Sequence, residues 1–359
     1  MSRTEEELSA ERKPAKRATL SDVAELAQVS VATVSRVLAG NYPVAKETRR
    51  RVERAIAKTD YVVNTHARAL AGVSTQSVAF VVNDVRGQSF AYAAQGVELE
   101  AARRGRICLV CTTQGDLRRE TAVVQLMREQ GAAAVILIGG VVDDTAYRTR
   151  MTELAHSLAA VGSRLVLCGR PPLGDDVPVT VVEYDNEGGA YAVASHLLTN
   201  GHRRILFVGH VESSTTTRGR LAGYRRALAA FDLELDSDLV VEADFTRASA
   251  HRAVQKRLAQ GRDFTAIFAE SDVIAAGAMR ALIDAGLSVP DDVSIVGYDD
   301  IEAASDLRPR LTTVHVPYEE LGSTAVRLAL DWHEGVSGSI DQHVVLGTHV
   351  VLRESVARL

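Results

Sequence analysis

Long apolar runs are absent from this chain. No 18 consecutive apolar residues occur, so no segment reads as a membrane-spanning helix. The first 18 residues carry Glu5-Glu6-Glu7 and Arg12-Lys13 but no apolar stretch of the kind a secretory leader needs. They are expected to form a disordered tail that adds nonspecific phosphate contacts. Cysteine is scarce, three in 359 residues. Without a secretory leader that count excludes a disulfide framework and points to the reducing cytoplasm. Cys108 and Cys111 do make a Cys-x-x-Cys, but within the run Ile107-Cys-Leu-Val-Cys111. The run reads as a buried strand, in which positions i and i+3 face opposite ways, so structural thiols are expected rather than a metal or redox pair. Catalytic signatures are missing too. There is no Walker loop, no Gly-x-Gly-x-x-Gly after a strand and no Gly-x-Ser-x-Gly elbow. Ten histidines are scattered without metal-ligand spacing, and His202 and His315 read as structural. No catalytic residue, metal ligand or cofactor is therefore expected, and the chain is read as a non-enzyme. No repeat of 20 to 50 residues is present, and no low-complexity tract beyond the tail.

What is present is uneven. The net charge is −5, yet residues 12–72 hold 12 Lys/Arg against 5 Asp/Glu, a net of +7. The remainder holds 29 against 41, a net of −12. A basic amino-terminal segment on an acidic body fits phosphate binding confined to one end.

That segment contains two short helical patterns around a tight turn, Thr19 to Tyr42. Thr19 is a candidate N-cap with Asp22 three residues on, and Val23, Leu26 and Ala27 recur at helical spacing. Ser30 offers the next N-cap, with Val34, Val37 and Leu38 as the second apolar face. Val31, Ala32, Ser35 and Arg36 then point outward near the helix start, as a recognition helix in a major groove requires. A third helix is expected from about Lys46 to Thr59. After it, Asn64 to Gly72 forms a short helical pattern that is marginal in water unless a partner orders it. Leu70 lies on one face with Ala67, as an apolar wedge for the minor groove would. A plain linker with one buried leucine is the alternative.

From Ser77 onward short apolar runs alternate with amphipathic stretches. Residues 78–82, 107–111, 135–138, 165–168, 179–182, 205–208, 266–269 and 293–297 read as strands. This rhythm predicts parallel, doubly wound sheets. About 280 residues is near the size at which one core splits, so two similar α/β lobes are expected, with a ligand at the carboxyl ends of the strands. Polar and aromatic groups just past the strands are the candidates: Asp84, Phe90, Thr216, Arg220, Asp244-Phe245, Ser271-Asp272 and Asp299-Asp300. Any one Asp alone reads as a cap or turn former. Together, an Arg, an Asp and an aromatic face at one end of the sheet suit a sugar or a nucleobase.

Several of these segments make the chain resemble the lactose/galactose-repressor (LacI–GalR) family of bacterial transcriptional regulators. They are Thr19-Leu-Ser-Asp-Val-Ala, Thr33-Val-Ser-Arg-Val-Leu38, Glu47-Thr-Arg-Arg-Arg-Val52 and Tyr61 through Ala67-Arg-Ala-Leu-Ala-Gly72. Further on, Gly201-His-Arg-Arg, Arg220-Leu-Ala-Gly-Tyr, Val289 to Asp300 and Leu311-Thr-Thr-Val are similar to that family's effector domain. The likeness covers all but the first 18 residues. It implies a helix-turn-helix headpiece over 19–63, a hinge helix and linker over 64–76, and a periplasmic-binding-protein-like core over 77–359. Arg36 with Val31 and Ala32 would read bases, and Thr19, Ser30, Thr33 and Ser35 would contact phosphate. Leu70, with Asn64 and Ala67, would form the DNA-facing hinge. In the core, Arg220 and Asp299 would be the strongest effector contacts and Phe245 the stacking ring, with Asp84, Phe90 and Thr216 in support. Ser271 stands where sugar-binding members often have the longer Asn. Ala39, Ala45 and Val63 also depart from the pattern; the missing cap at Ala45 costs about 1 kcal/mol locally. The resemblance implies a homodimeric repressor on a pseudo-palindromic operator, controlled by a sugar or sugar derivative. A purine-like co-repressor and a ligand-independent DNA-binding protein are the alternatives. No leucine heptads follow Arg353-Glu-Ser355, which favours a dimer over a tetramer.

Overall fold

The computed structural model describes residues 18–39, 43–59, 61, 77–209, 214–336 and 343–359. It divides into two units, Met1–Thr75 and Gln76–Leu359. The expected tail up to residue 17, and the expected hinge helix and linker with Asn64, Ala67 and Leu70, lie outside the described residues.

The first unit holds α1 (Leu20–Ala27), α2 (Val31–Ala39) and α3 (Lys46–Thr59). Thr19 caps α1 reciprocally with Asp22: the Thr19 amide donates to Asp22 Oδ2 at 2.7 Å, and the Asp22 amide donates to Thr19 Oγ1 at 3.3 Å. Ser30 caps α2, with its Oγ accepting from the Thr33 amide at 3.2 Å. Val23, Ala24, Ala27, Val34, Val37, Val52, Ala55 and Tyr61 close a small core. Leu26 corrects the expected apolar face of α1, being 49% exposed. Leu20, Val23, Ala24 and Ala27 define the buried stripe, and Leu26 falls about 110° around the helix from its centre.

The second unit alternates strand and helix as expected. Its elements are β1 (Ser77–Val82), α4 (Gln88–Arg103), β2 (Ile107–Thr112), α5 (Leu117–Glu129), β3 (Ala134–Ile138), α6 (Thr145–Ala159), β4 (Arg164–Cys168) and β5 (Val179–Tyr184). Then come α7 (Asn186–Thr199), β6 (Ile205–Gly209), α8 (Thr215–Ala230), β7 (Val240–Glu242), α9 (Arg247–Ala259), β8 (Ala266–Ala269), α10 (Asp272–Asp284) and β9 (Ser294–Val296). The chain ends with α11 (Glu302–Asp306), β10 (Thr313–His315), α12 (Tyr318–His333), β11 (His343–Leu346) and β12 (His349–Val351). Two parallel sheets result, one in the order β11-β5-β4-β3-β1-β2 and one in the order β7-β6-β8-β9, with β10 and β12 paired antiparallel. Each sheet centres a lobe. The chain crosses between lobes three times, after β5, after β10 and after β11.

Burial on both faces explains why the central strands carry unbroken apolar runs. Along β1, Val78, Phe80 and Val82 face a core shared with α4 and α12. Ala79 and Val81 face the opposite core against α5 and α6. Strand β2 departs from expectation. It pairs only with β1, at the sheet edge, leaving Ile107 71% and Val110 49% exposed and Cys108 and Cys111 half-buried. Burial still pushes the Cys108 thiol up to about 11. His202 is buried, 2.9 Å from Thr265 Oγ1 and 3.1 Å from the Ala357 carbonyl oxygen. His315 is half-exposed and lies 3.0 Å from Asp300 Oδ2. Among the described residues no helix is long and apolar enough to cross a membrane.

Helices α4 and α12 meet where neither has a side chain. A Cβ on Gly96 would stand 2.0 Å from the Glu319 carbonyl oxygen, and one on Gly322 would stand 2.2 Å from that of Ala93. Gly96→Ala is therefore expected to lower the unfolding free energy of this unit by about 1–3 kcal/mol, measured by urea denaturation. An unchanged midpoint would contradict this backbone contact.

Candidate functional site

On the headpiece, α2 turns Val34 and Val37 into the core, which leaves Val31, Ala32, Ser35 and Arg36 exposed on its other side. This is the outward set read from the sequence. Arg36 makes no ion pair among the described residues. The Thr33 hydroxyl lies 2.9 Å from that of Ser30, so these two candidate phosphate contacts are already hydrogen-bonded to each other. Thr19 Oγ1 likewise donates to Asp22 Oδ2 at 2.8 Å. Arg50, Arg51 and Arg54 of α3 are exposed and add positive charge to the same small unit.

The second unit has a cleft of about 410 Å³ at the carboxyl ends of its strands. Asn83 and Asp84 follow β1, Gly139 to Val142 follow β3, Gly169 follows β4, and Tyr184 ends β5. From the other lobe come Ser214, Thr216 and Arg220 at the start of α8, then Phe245, Glu270 and Asp299 after β7, β8 and β9. Parallel strands all point this way, so the loops carrying these groups gather at one edge. The two lobes touch here: the Thr215 amide donates to the Val141 carbonyl at 2.9 Å, and the Val141 amide donates to Thr215 Oγ1 at 3.1 Å.

Arg220 organises the wall. It is 1% exposed; Nε donates to Asn186 Oδ1 at 2.9 Å, one terminal nitrogen donates to Asp299 Oδ1 at 2.9 Å, and the other to the Glu270 carbonyl oxygen. The guanidinium carbon sits 3.7 Å from the centre of the Tyr298 ring. Asp299 Oδ1 also accepts from the Tyr318 hydroxyl at 2.9 Å, and Tyr318 begins α12 of the other lobe. Burial works against the Arg220 charge, but Asp299 and the surrounding tyrosines outweigh it and hold the guanidinium well above its usual range. Burial raises the Asp299 carboxyl, while Arg220 and Tyr318 pull it back. Asp299 has φ 108°, a left-handed backbone that a non-glycine residue occupies only under constraint.

Six of the seven effector candidates read from the sequence line this cleft: Asp84, Phe90, Thr216, Arg220, Phe245 and Asp299. Phe245 is 45% exposed, with Phe90 contributed by the opposite lobe. Asp84 is paired with Arg86, whose Nε donates to Oδ2 at 2.9 Å and whose hydrogen bonds hold the carboxyl down to about 2. Ser271 is placed elsewhere. It is fully buried and caps α10, its Oγ accepting from the Ile274 amide at 3.3 Å. Its neighbour Asp272 is also internal, bonded by Thr313 Oγ1 at 2.5 Å and the Ile301 amide at 2.9 Å. Sequence reasoning missed Glu270, one residue before Ser271, together with Asn83, Tyr184 and Tyr318. A polar residue directly after the apolar run Ala266–Ala269 was the available signal for Glu270.

A helix-turn-helix unit joined to a two-lobed binding core defines the class of DNA-binding regulators that answer to small molecules. Comparison with known proteins agrees. A model of bacterial regulatory proteins of the lacI family matches residues 19–64, and one of the periplasmic binding protein-like domain matches residues 194–356. The transcriptional regulator CelR of Thermobifida fusca is 35% identical over 347 residues, 95% of this chain and 98% of CelR. The transcriptional repressor PurR of Aliivibrio salmonicida is 32% identical, over 95% of this chain and all of PurR. Among solved structures, a CelR–cellobiose complex is similar at 33% identity and a TM-score of 0.70, covering 94% of this chain and 100% of that one. The lac repressor dimer bound to operator and an anti-inducer is similar at 26% identity and a TM-score of 0.82, covering 95% and 100%. The chain belongs to the LacI family. It is a DNA-binding transcriptional regulator and not an enzyme.

Removing one partner of a buried ion pair leaves the other charge uncompensated. Arg220→Met is expected to cost about 3–5 kcal/mol at neutral pH, read by denaturant unfolding. The unfolded Asp299 ionises near the ordinary value of 3.8, while the lone buried carboxyl holds its proton to higher pH. The unfolded chains titrate alike, so the defect must grow as pH rises above the folded value of Asp299 in the natural protein, itself raised above 3.8 by burial, and shrink below it. A defect constant across that range would contradict the assignment.

Proposed function

We propose that this protein is a cytoplasmic, homodimeric repressor whose operator affinity is set by a sugar or sugar derivative bound in the cleft. The observation that carries the reading is the pairing of one buried, fixed polar wall with two aromatic rings. Arg220 and Asp299 offer oriented donors and acceptors to hydroxyl groups, while Phe90 and Phe245 offer flat apolar faces to a sugar ring. The relative solved with cellobiose has a core of the same fold. Arg36, Val31 and Ala32 would read base edges from α2. Thr19, Ser30, Thr33 and Ser35 would meet phosphate, with the hydroxyls of Thr19, Ser30 and Thr33 exchanging their present partners to do so.

Two headpieces must act together to read a pseudo-palindrome. The edge of β2, which pairs only with β1 among the described strands and leaves Ile107 and Val110 exposed, is a surface suited to a second copy of the chain. The segment 64–76 would serve as hinge, with Asn64 and Ala67 on its DNA-facing side and Leu70 inserted between base steps.

Selection of genomic fragments by the purified protein at roughly physiological salt tests the reading. The expected result is one pseudo-palindrome upstream of sugar-uptake or catabolic genes. Leu70→Ala should lose that site while keeping its salt-sensitive nonspecific binding. Equal loss of both would rule out the wedge, and diffuse recovery of fragments would count against sequence-specific repression.

A further inference from the structure

The crossovers follow β5, β10 and β11, so rotation of one lobe against the other pivots there. In the larger sheet β4 separates β5 from β3, which places β3 two strand spacings, about 10 Å, from that pivot. The loop after β3 meets the amino end of α8 at backbone distance. Val142 bridges Ser214 antiparallel, and Val141 and Thr215 share two hydrogen bonds. Gly140 carries no side chain where none fits: a Cβ there would stand 2.5 Å from Thr216 Oγ1 and 2.8 Å from Ser214 Oγ. A contact on this longer lever arm is displaced more by a change of lobe angle than one beside the crossovers.

Just past this contact an ion pair stands incompletely formed. Asp143 follows Val142, and Arg218 lies one helical turn beyond Ser214, on the same face of α8. Arg218 Nη2 is 3.9 Å from Asp143 Oδ2, about 1 Å beyond hydrogen-bond length. Arg218 is half-exposed and makes no other ion pair among the described residues. Asp143 is mostly buried; its Oδ2 accepts from Arg148 at 2.8 Å, and its Oδ1 is buried without a hydrogen-bond partner among the described residues. Arg148 belongs to the same lobe as Asp143, so its bond is indifferent to lobe angle. The approach of Arg218 depends on that angle directly. Neither Asp143 nor Arg218 lines the cleft, whereas the bridged pair Val142 and Ser214 does.

We propose that Asp143 and Arg218 form an electrostatic latch between the lobes. A small closing movement turns their approach into a hydrogen-bonded ion pair, which holds the core toward its closed form and strengthens effector binding without touching the effector. The latch rests on the core alone; its action on the effector rests on the cleft-binding reading above.

Hydrogen exchange of the full chain, followed by mass spectrometry over peptides spanning 139–146 and 214–220, tests the latch with no ligand present. Arg218→Gln and Asp143→Asn should each speed exchange of the Val141 and Thr215 amides about two- to fivefold, the scale of a partly exposed ion pair. The double variant should exchange no faster than either single one, since both remove the same interaction. The difference from the natural protein should close in about 1 M salt, where the screening length falls to about 3 Å. Arg148→Gln removes charge from the same carboxylate within one lobe and should not speed exchange. Unchanged exchange in the single variants, additive effects in the double, or equal speeding by Arg148→Gln overturns the latch. Titration with cellobiose, glucose and galactose by calorimetry then reads its action on the cleft. A sugar that binds the natural protein should bind Arg218→Gln about two- to fivefold more weakly, and equal affinity overturns that action. Silence from all three sugars counts against the sugar reading alone, because the exchange result decides the latch without them.

Discussion

The ion pair between Arg220 and Asp299 is the interaction on which the second unit turns. A guanidinium buried this deeply survives only with every side of it answered, and here the answers come from three separate parts of the chain. Asn186 sits just past the first crossover, Glu270 follows β8, Asp299 follows β9, and the Tyr298 ring lies against the guanidinium face. Tyr318 then reaches Asp299 from the helix that follows the second crossover. One carboxylate oxygen is therefore shared between lobes, and the strained backbone at Asp299 is held by those bonds. Whatever binds against this wall acts on the junction of the two lobes.

Around that junction the lobes are built to be stiff. Their central strands are buried on both faces, and α4 meets α12 at backbone distance through Gly96 and Gly322. Three crossovers join the lobes, and the Val141–Thr215 hydrogen bonds bridge them across the cleft. On the proposed function, a change in the cleft would be expressed as a change in lobe angle sooner than as a local deformation. That is the coupling element a ligand-controlled DNA-binding protein requires.

Local chemistry was the legible part of the sequence. The Thr19–Asp22 capping box and the Ser30 cap depend on residues three apart, and both are present. The eight apolar runs became strands, and in the central ones burial on two faces leaves a continuous signature. Strands β7, β10, β11 and β12 are three or four residues long and, unlike the equally short β8 and β9, are not buried throughout, so no continuous apolar run marks them. The exposure of β2 could not be read from its own residues, because it depends on which strand lacks a neighbour, a property of topology. Leu26 failed for a geometric reason, its spacing being helical but its azimuth wrong. At the cleft, the strand-end rule located six candidates and was one residue off at Ser271, where the chain had already turned into the helix it caps. The buried role of Arg220 was not visible either. As a sequence feature it is a ligand contact, whereas in the structure it is also a keystone, so its removal disturbs folding as well as binding.

Reciprocal linkage tests the central claim most directly. Operator affinity would be measured with and without a saturating effector sugar, and sugar affinity with and without saturating operator. If the cleft and the headpiece are coupled through one equilibrium, both affinities change by the same factor, about 5- to 150-fold. A sugar that binds equally well in the presence and absence of operator would contradict the account.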